Sequence, residues 1–365
     1  MLPRWRFWVG LAVTALLLGL FLLFIDLRGM ARALRQADYW YLLPAVAVYF
    51  AGVAVRALRW SVVLGPVRRV SPLRLFPIVV IGFTANNVLP VRLGELVRAY
   101  LLGQREGMSK TVALGTIAVD RLFDGLALLA LFFLAALLIP SVQWARDPVI
   151  VNVVRLTAIA FGGVGLVFLA LVFLPRVSRR IAARLLRITT WTLLRLPLGP
   201  GRKPLLRFEE RTESLVDLFL QGLEAMRSPW RVALALPLSL AIWTIEAVMF
   251  LFVAQGFGLH LPFTVMLLAT ATSNLITTVP SSQGGVGPFE GVLVGTLALF
   301  GVGSGQAGAF AVALHAALLV PVTVLGFVFL WAERFRWSDL MAPLPQTSDA
   351  TPAAPSNLGE RRRQG

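Results

Sequence analysis

Long apolar runs follow one another along the chain and are separated by short segments rich in arginine. Six runs are long enough to cross the hydrocarbon core of a bilayer as a helix, which takes about 20 residues. They cover residues 7–25, 39–64, 112–139, 149–174, 232–257 and 308–332. We interpret the first run as a retained span because no small-residue cleavage site follows it. The pattern predicts an all-α, polytopic helical membrane protein with about six full spans.

Two further apolar segments, 75–102 and 262–300, are interrupted near the middle by Pro, Gly, Asn and charged residues. Loops rich in Lys and Arg favour the cytoplasmic side. We expect the basic loops 65–74 and 175–231 inside, and the nearly neutral loops 140–148, 258–261 and 301–307 outside. These loop positions agree with the number of membrane crossings only if both interrupted segments are re-entrant hairpins, which enter the membrane from opposite sides and return to the side they came from. Both termini are then cytoplasmic, and the expected location is the cell (cytoplasmic) membrane.

The two interrupted segments carry matching motifs. "NNVLPVRLGE" at 86–95 and "SNLITTVPSSQGGVGPFE" at 273–290 place Asn, Pro, Gly and Glu in the same order. Two spacings to the neighbouring spans, of 25 and 28 positions, also recur in both halves. The pairs are Glu95 and Asp120, Glu290 and His315, Arg59 and Asn87, and Glu246 and Asn274. We therefore predict an inverted repeat of residues 39–139 and 232–332, an arrangement that marks a mid-membrane binding site in transporters.

A helix break at membrane depth has a chemical consequence. It leaves N–H and C=O groups without partners, which costs several kcal/mol unless the groups line a wet cavity or are buried in protein. Pro90 and Pro280 each end a half-helix, and the next half-helix begins with N–H groups that point at the gap. That end carries about half a positive charge and suits an anion such as phosphate. The sequence therefore predicts a cavity for an anionic head group.

The predicted substrate-binding residues are charged, amide, hydroxyl or glycine residues at the two breaks and on adjoining spans. They are Arg56, Arg59, Asn86, Asn87, Arg92, Glu95, Arg98, Asp120, Arg121, Asp124, Glu246, Asn274, Ser281, Ser282, Gly284, Gly285 and Glu290. No catalytic residue is predicted.

Several of these residues are also compatible with a purely structural role. Glu246 lies in an apolar span, where a carboxylate is costly to insert, and this favours a functional or gating role. Its alternative, structural role is an ion pair with an arginine. For Arg92, Glu95 and Arg98 the structural role is a solvated cytoplasmic face. For Arg56 and Arg59 it is a snorkelling anchor, and for Asp120 and Asp124 it is pairing with arginine. His315 is interpreted as a packed helix residue, with a proton relay as the alternative.

Charge and composition exclude some classes of protein. The net charge of +16 is carried by arginines that cluster between the spans, as cytoplasmic loops require, so no nucleic-acid partner is expected. The chain has no Cys and only two His, far apart, so neither a metal site nor a cofactor is expected. Residues 176–195 form a basic amphipathic pattern that predicts contact with the anionic cytoplasmic leaflet, with a solvated linker as the alternative. A membrane domain of residues 1–340 and a disordered cytoplasmic tail of residues 341–365 are expected.

Four stretches together resemble a known family: "RALRW" at 56–60, "NNVLPVRLGELVRAYLL" at 86–102, "DRLFDGLAL" at 120–128 and "VPSSQGGVGPFEGVL" at 279–293. This combination is similar to the lysylphosphatidylglycerol synthase transmembrane family, or flippase-like membrane proteins, over roughly residues 5–335. The resemblance implies movement of an aminoacylated phospholipid, or another lipid-linked head group, across the membrane. The synthase carries a soluble aminoacyltransferase domain after its membrane part, and this chain ends without one. We therefore expect a transporter of membrane lipids rather than an enzyme, with a separate lipid-modifying enzyme as a possible partner.

Two more functional classes stay open. One is a membrane-embedded lipid or glycosyl transferase, because "DRLFDG" faintly resembles the aspartate motif of phosphatidyltransferases, although its second aspartate pair is missing. The other is a small-solute secondary transporter, which uses the same inverted-repeat logic. No G-x-x-x-x-G-K-[ST] stretch exists, so ATP is not the expected energy source. Proton coupling through Glu246, Glu95, Glu290 or Asp120 and passive scrambling are both compatible with the sequence.

Overall fold

The computed structural model describes residues 25–89, 93–139, 227–277 and 283–332, together with Leu16, Gly19, Phe21, Leu23, Gly163, Leu166, Leu174, Arg180 and Arg184. The helices within these ranges are α1 (Leu27–Gln36), α2 (Leu42–Leu64), α3 (Pro72–Val88), α4 (Gly94–Glu106), α5 (Lys110–Leu138), α6 (Pro229–Gly256), α7 (Phe263–Thr277), α8 (Pro288–Ala298) and α9 (Ser304–Ala332). Short 3₁₀ turns lie at Tyr39–Tyr41 and Gln283–Gly285.

The predicted all-α membrane fold is confirmed. Helices α2 (with the turn before it), α5, α6 and α9 are long and apolar enough to cross a membrane, and they match four of the six predicted spans. Their outer faces carry large apolar side chains such as Leu137 and Trp331, which are more than four-fifths exposed, as expected of surfaces that contact lipid. The predicted spans 7–25 and 149–174, the basic helix 176–195 and the tail 341–365 lie outside the described residues, apart from single positions.

The fold consists of two repeats of four helices, α2–α5 and α6–α9. Each repeat has a long helix, two short helices separated by a break, and a second long helix. Corresponding helices make corresponding contacts: α2 with α3 and α6 with α7, α3 with α4 and α7 with α8, α4 with α5 and α8 with α9. Between the repeats, α2 packs on α6, α3 on α9 and α5 on α7. The helix order and the contacts together define a pseudo-twofold arrangement.

The second repeat is inverted relative to the first. At one end of the α2–α6 pair, the Asp38 N–H donates to the carbonyl of Gly256 at 2.8 Å. At the other end, the guanidinium of Arg231 donates to the carbonyl of Val62 at 3.3 Å. The two equivalent helices are therefore antiparallel, and the repeats have opposite directions through the membrane.

Each pair of short helices is a re-entrant hairpin. Glu106, at the end of α4, lies 3.8 Å from Arg74 at the start of α3, so this hairpin begins and ends on the same side. After the α7–α8 hairpin, the Gln306 amide donates at 2.9 Å to the carbonyl of Phe257, which precedes the hairpin, so this hairpin also begins and ends on one side, at the Gly256 end of α6. The helices stop at Val88 and Thr277 and resume at Gly94 and Pro288. These breaks coincide with the motifs that contain Pro90 and Pro280.

Helix α1 was not predicted from the sequence, because it is short and rich in arginine. Asp26 caps it by accepting from the Gly29 N–H at 3.0 Å, and Met30 packs against the main core. Its backbone lies against the start of α9, where a Cβ added to Gly305 would come within 2.9 Å of Gly29. The helix therefore rests on the protein at the end where α9 begins.

Candidate substrate cavity between the two repeats

The two helix breaks face one cavity of about 500 Å³. Asn86, Asn87 and Glu95 line it from the first break, and Thr277 and Gly284 line it from the second. Helices α2, α5, α6 and α9 supply most of the remaining wall. The volume is in the range of sites that hold small ligands. The structure thus brings the two sequence motifs to one place.

An ion pair between the repeats forms part of the cavity wall. The guanidinium of Arg56 on α2 donates to the carboxylate of Glu246 on α6 at 3.0 Å, and the Asn274 amide donates to the other carboxylate oxygen at 2.8 Å. The guanidinium also lies 4.6 Å from the ring centroid of Trp243, within cation–π range. The Arg56 side chain is only 9% exposed, so it is a buried cavity residue and not a snorkelling anchor.

A second ionic network lies behind the cavity. Arg59 is fully buried and holds Asp120 at 2.8 Å and Asp124 at 2.8 Å. Arg98 is buried as well and donates to the other oxygen of Asp120 at 3.2 Å. Buried charges persist only when they are paired. Arg59, Arg98 and Asp120 therefore tie α2, α4 and α5 together, and only Asp124 of this group reaches the cavity.

The cavity wall carries charges of both signs. Arg121 lines it and lies 3.7 Å from Glu95 and 3.5 Å from Asp124. With Arg56 and Glu246, the described lining holds two arginines and three carboxylates. The wall is thus not uniformly positive, and it can contact a head group that carries both charges.

The first N–H groups of both half-helices are capped by side chains. The Gly94 N–H at the start of α4 donates to the Asn86 side chain at 2.7 Å. The Gly287 N–H at the start of α8 donates to Glu290 at 2.7 Å. These two donors, which the sequence suggested for an anion, therefore have acceptors within the protein.

Glu290 and His315 form a third buried pair. Nδ1 of His315 lies 2.6 Å from a carboxylate oxygen of Glu290, and Nε2 lies 3.0 Å from the carbonyl oxygen of Gly284. The ring of Phe289 packs 4.4 Å from the imidazole. His315 lines the cavity, whereas Glu290 and Gly285 are buried beside it.

Sequence reasoning missed the aromatic part of the wall. Tyr49, Phe83, Trp243 and Phe289 line the cavity, together with His315. Trp243 precedes Glu246 by three positions and so shares its helix face, a signal that would have found it. Arg92, Ser281 and Ser282 lie outside the described residues.

This geometry defines the class of protein: a helical membrane protein in which two inverted repeats enclose a charged cavity at paired helix breaks. The chain belongs to the lysylphosphatidylglycerol synthase transmembrane-region family, whose match spans residues 7–326. The predicted family is therefore confirmed.

Several curated relatives are similar to the chain. A UPF0104 membrane protein of Methanothermobacter thermautotrophicus is 31% identical over 72% of this chain and 76% of its own length. A second UPF0104 membrane protein of the same organism is 25% identical over 87% of this chain and 91% of its own length. Glycosyltransferase AglD of Haloferax volcanii is 28% identical over 87% of this chain, and the match covers 53% of AglD. No solved structure matches the chain significantly.

Proposed function

We propose that this protein moves the polar head group of a membrane lipid across the cytoplasmic membrane. The substrate class is an anionic or aminoacylated phospholipid, or another lipid-linked head group. The observation that carries the proposal is the cavity with the Arg56–Glu246 pair, which lies among membrane-spanning helices at the interface of two inverted repeats. Ionisable residues in such a position are costly to insert and typically serve transport. The family membership supports a role in membrane lipid biology.

The cavity suits a head group in size and chemistry. A phosphate or amine costs free energy in hydrocarbon because it loses its water. Arginines, carboxylates and the amides of Asn86, Asn87 and Asn274 supply replacement donors and acceptors. A volume of about 500 Å³ holds a head group, while the acyl chains stay in the bilayer.

The proposed movement is a rocking of one repeat against the other. The Arg56–Glu246 pair joins α2 to α6, which are the equivalent helices of the two repeats. A shift between these helices changes the pair and opens the cavity to the other side. Alternating access by rocking of inverted repeats around a fixed site is the general logic of such transporters.

Charge asymmetry supports an orientation for the proposed transport. The end of the molecule formed by segments 65–74, 103–110 and 227–231 carries seven basic residues and one acidic residue. The opposite end, formed by segments 26–41, 256–262 and 299–305, carries three arginines and two aspartates. Loops rich in Lys and Arg stay in the cytoplasm, so we assign the first end to the cytoplasmic side.

The test is head-group translocation in proteoliposomes of the purified protein. The labelled lipids are phosphatidylglycerol, lysylphosphatidylglycerol and a polyprenyl phosphate, and an impermeant quencher reports which leaflet holds the label. We expect Glu246→Gln and Arg56→Gln to slow translocation roughly tenfold or more, since either change leaves a buried charge without its ionic partner. Arg74→Gln is the matched control, because it removes an exposed arginine away from the cavity. A folded wild type that moves none of the three lipids, with or without a proton gradient, overturns the proposal.

The relative named glycosyltransferase AglD favours a membrane-embedded transferase as a second candidate. The same vesicles separate the two functions. A lipid whose mass is unchanged while its label changes leaflet supports transport, with a separate enzyme supplying the substrate. A new lipid-linked product formed from an added sugar-nucleotide or aminoacyl donor supports the transferase.

A further inference from the structure

Both ring nitrogens of His315 lie against oxygen atoms that accept hydrogen bonds, so a neutral imidazole beside an ionised carboxylate cannot satisfy both contacts. Both ring nitrogens face hydrogen-bond acceptors: Nδ1 faces the Glu290 carboxylate at 2.6 Å, and Nε2 faces the Gly284 carbonyl at 3.0 Å. A carbonyl oxygen only accepts, so Nε2 must carry a hydrogen. The short contact at Nδ1 then needs one more proton, on the imidazole or on the carboxylate. The pair therefore holds one proton more than a neutral imidazole beside an ionised carboxylate.

The same pair fixes the loop at the second helix break. Glu290 accepts from the Gly287 N–H through its other oxygen at 2.7 Å, so its carboxylate joins this loop to α9 through His315. Gly284, Gly285 and Gly287 have φ values of 64°, 81° and 98°, which only glycine adopts readily. A loop with this backbone depends on a few side-chain contacts for its shape.

We propose that Glu290 and His315 form a proton-binding site, and that release of the proton loosens the Gly284–Gly287 loop at the cavity wall. Without the proton, either the carboxylate or the carbonyl faces a nitrogen lone pair, and one buried contact becomes repulsive. His315 lines the cavity, so the proton can exchange with water or substrate there. The coupling of this site to lipid movement rests on the proposed function, whereas proton binding itself does not.

The surroundings leave this pair chemically separate from the other charges. In the described part of the chain, His315 and Glu290 are the only ionisable residues of α9 and α8, and α7 has none. Helix α3 has only Arg74, at its far end, and the charges of α1 lie beyond the start of α9. The charged groups that share the cavity from other helices are Arg56, Glu95, Arg121, Asp124 and Glu246. Each of these residues lies within 4 Å of a group of opposite charge, which stabilises its ionised form. We therefore assign the exchangeable proton to the Glu290–His315 pair.

Hydrogen–deuterium exchange of the full-length protein in nanodiscs tests the site. The measured quantity is the protection factor of residues 283–291, corrected for intrinsic exchange, from about pH 5.5 to about pH 9. We expect it to fall roughly tenfold in the wild type as the pH rises and one buried contact is lost. In His315→Gln and Glu290→Gln, which lack the titrating pair, the same peptide should show no pH step.

His260→Gln is the matched control, since it removes the other histidine, which is exposed in the turn after α6 and lies 3.1 Å from the Gly258 carbonyl. This variant should keep the wild-type pH step. A wild-type loop whose protection does not change with pH overturns the inference, even if lipid translocation is observed. A pH step in the wild type that disappears in both pair variants supports it, even if none of the three lipids moves and the proposed function fails.

Discussion

The two helix breaks have the same architecture and different chemistry. At the first break, a neutral amide from Asn86 caps α4, and the ionic groups nearby are arginine–carboxylate pairs. At the second break, Glu290 caps α8, and its other carboxylate oxygen lies 2.6 Å from Nδ1 of His315. Arginine keeps its charge at all ordinary pH values, whereas the histidine–glutamate pair can gain or lose a proton. One repeat therefore carries permanent charges, and the equivalent place in the other carries an exchangeable one.

The backbone conformation also differs between the two breaks. At the second break, the described residues Gly284, Gly285 and Gly287 all have positive φ, whereas the described residues beside the first break, Leu89 and Leu93, have negative φ. Glycine reduces the strain of a change in backbone shape because it has no Cβ. We therefore expect the second break to change its shape more readily than the first.

The largest expected effect comes from removing Arg59, the arginine that holds both aspartates of the first repeat. Arg59→Met leaves Asp120 and Asp124 without their shared partner in a fully buried position. We expect a loss of about 4 kcal/mol of stability, the range for one side of a buried ion pair. Thermal unfolding in detergent measures it, and Glu246→Gln at the equivalent position of the second repeat should cost clearly less. Equal losses in both variants would contradict this difference between the repeats.

The glycines that follow the two breaks provide the next comparison. In Gly94→Ala the new Cβ meets the carbonyl of Gly82 and the Asn86 side chain, so we expect a loss of about 3 kcal/mol. Gly291→Ala, in α8, meets nothing within 4 Å and should stabilise its helix by about 1 kcal/mol. Unfolding of both variants under the same conditions measures the difference. Two variants of similar stability would show that the α3–α4 contact is looser than the structure indicates.

The smallest effect tests the link between the repeats. A double-mutant cycle with Arg56→Gln, Glu246→Gln and the double variant should give a coupling energy of about 2 kcal/mol, because the residues touch at 3.0 Å. The Arg74–Glu106 pair, separated by 3.8 Å with an exposed arginine, is the control and should couple by less than about 1 kcal/mol. Additive effects at Arg56 and Glu246 would mean that the pair does not hold the repeats together.

Much of the fold was predictable because membrane depth limits what a chain can do. Long apolar runs must be helices there, and a run with Pro, Gly and Asn in its middle must break. The matched spacings of 25 and 28 positions then identified the repeat. The 25-residue spacing corresponds to a direct contact in one half only, between Glu290 and His315. In the first half, Glu95 contacts Arg121 and Asp120 contacts Arg59 and Arg98.

The candidate site was predictable in composition and less so in arrangement. Nine of the predicted residues line the cavity: Arg56, Asn86, Asn87, Glu95, Arg121, Asp124, Glu246, Asn274 and Gly284. Arg59, Arg98 and Asp120 point instead into the packing between helices. Arg56 and Arg59 are three positions apart on one helix, and their different roles depend on which helix holds their carboxylate partners: α6 for Arg56 and α5 for Arg59. No pattern within α2 distinguishes them.

By itself the sequence determined the helical class and the two breaks, because exposing backbone and charge to hydrocarbon is costly and this cost acts locally along the chain. The repeated spacings of the motifs also revealed the symmetry of the two halves. Only the tertiary structure decided the charge partners: Arg56 with Glu246, Arg59 with two aspartates, and His315 with Glu290. Such pairing depends on distances of about 3 Å between helices that are far apart in sequence, and Coulomb and hydrogen-bond energies fall steeply beyond that range. The exchangeable proton of the second repeat is therefore a property of the packed fold.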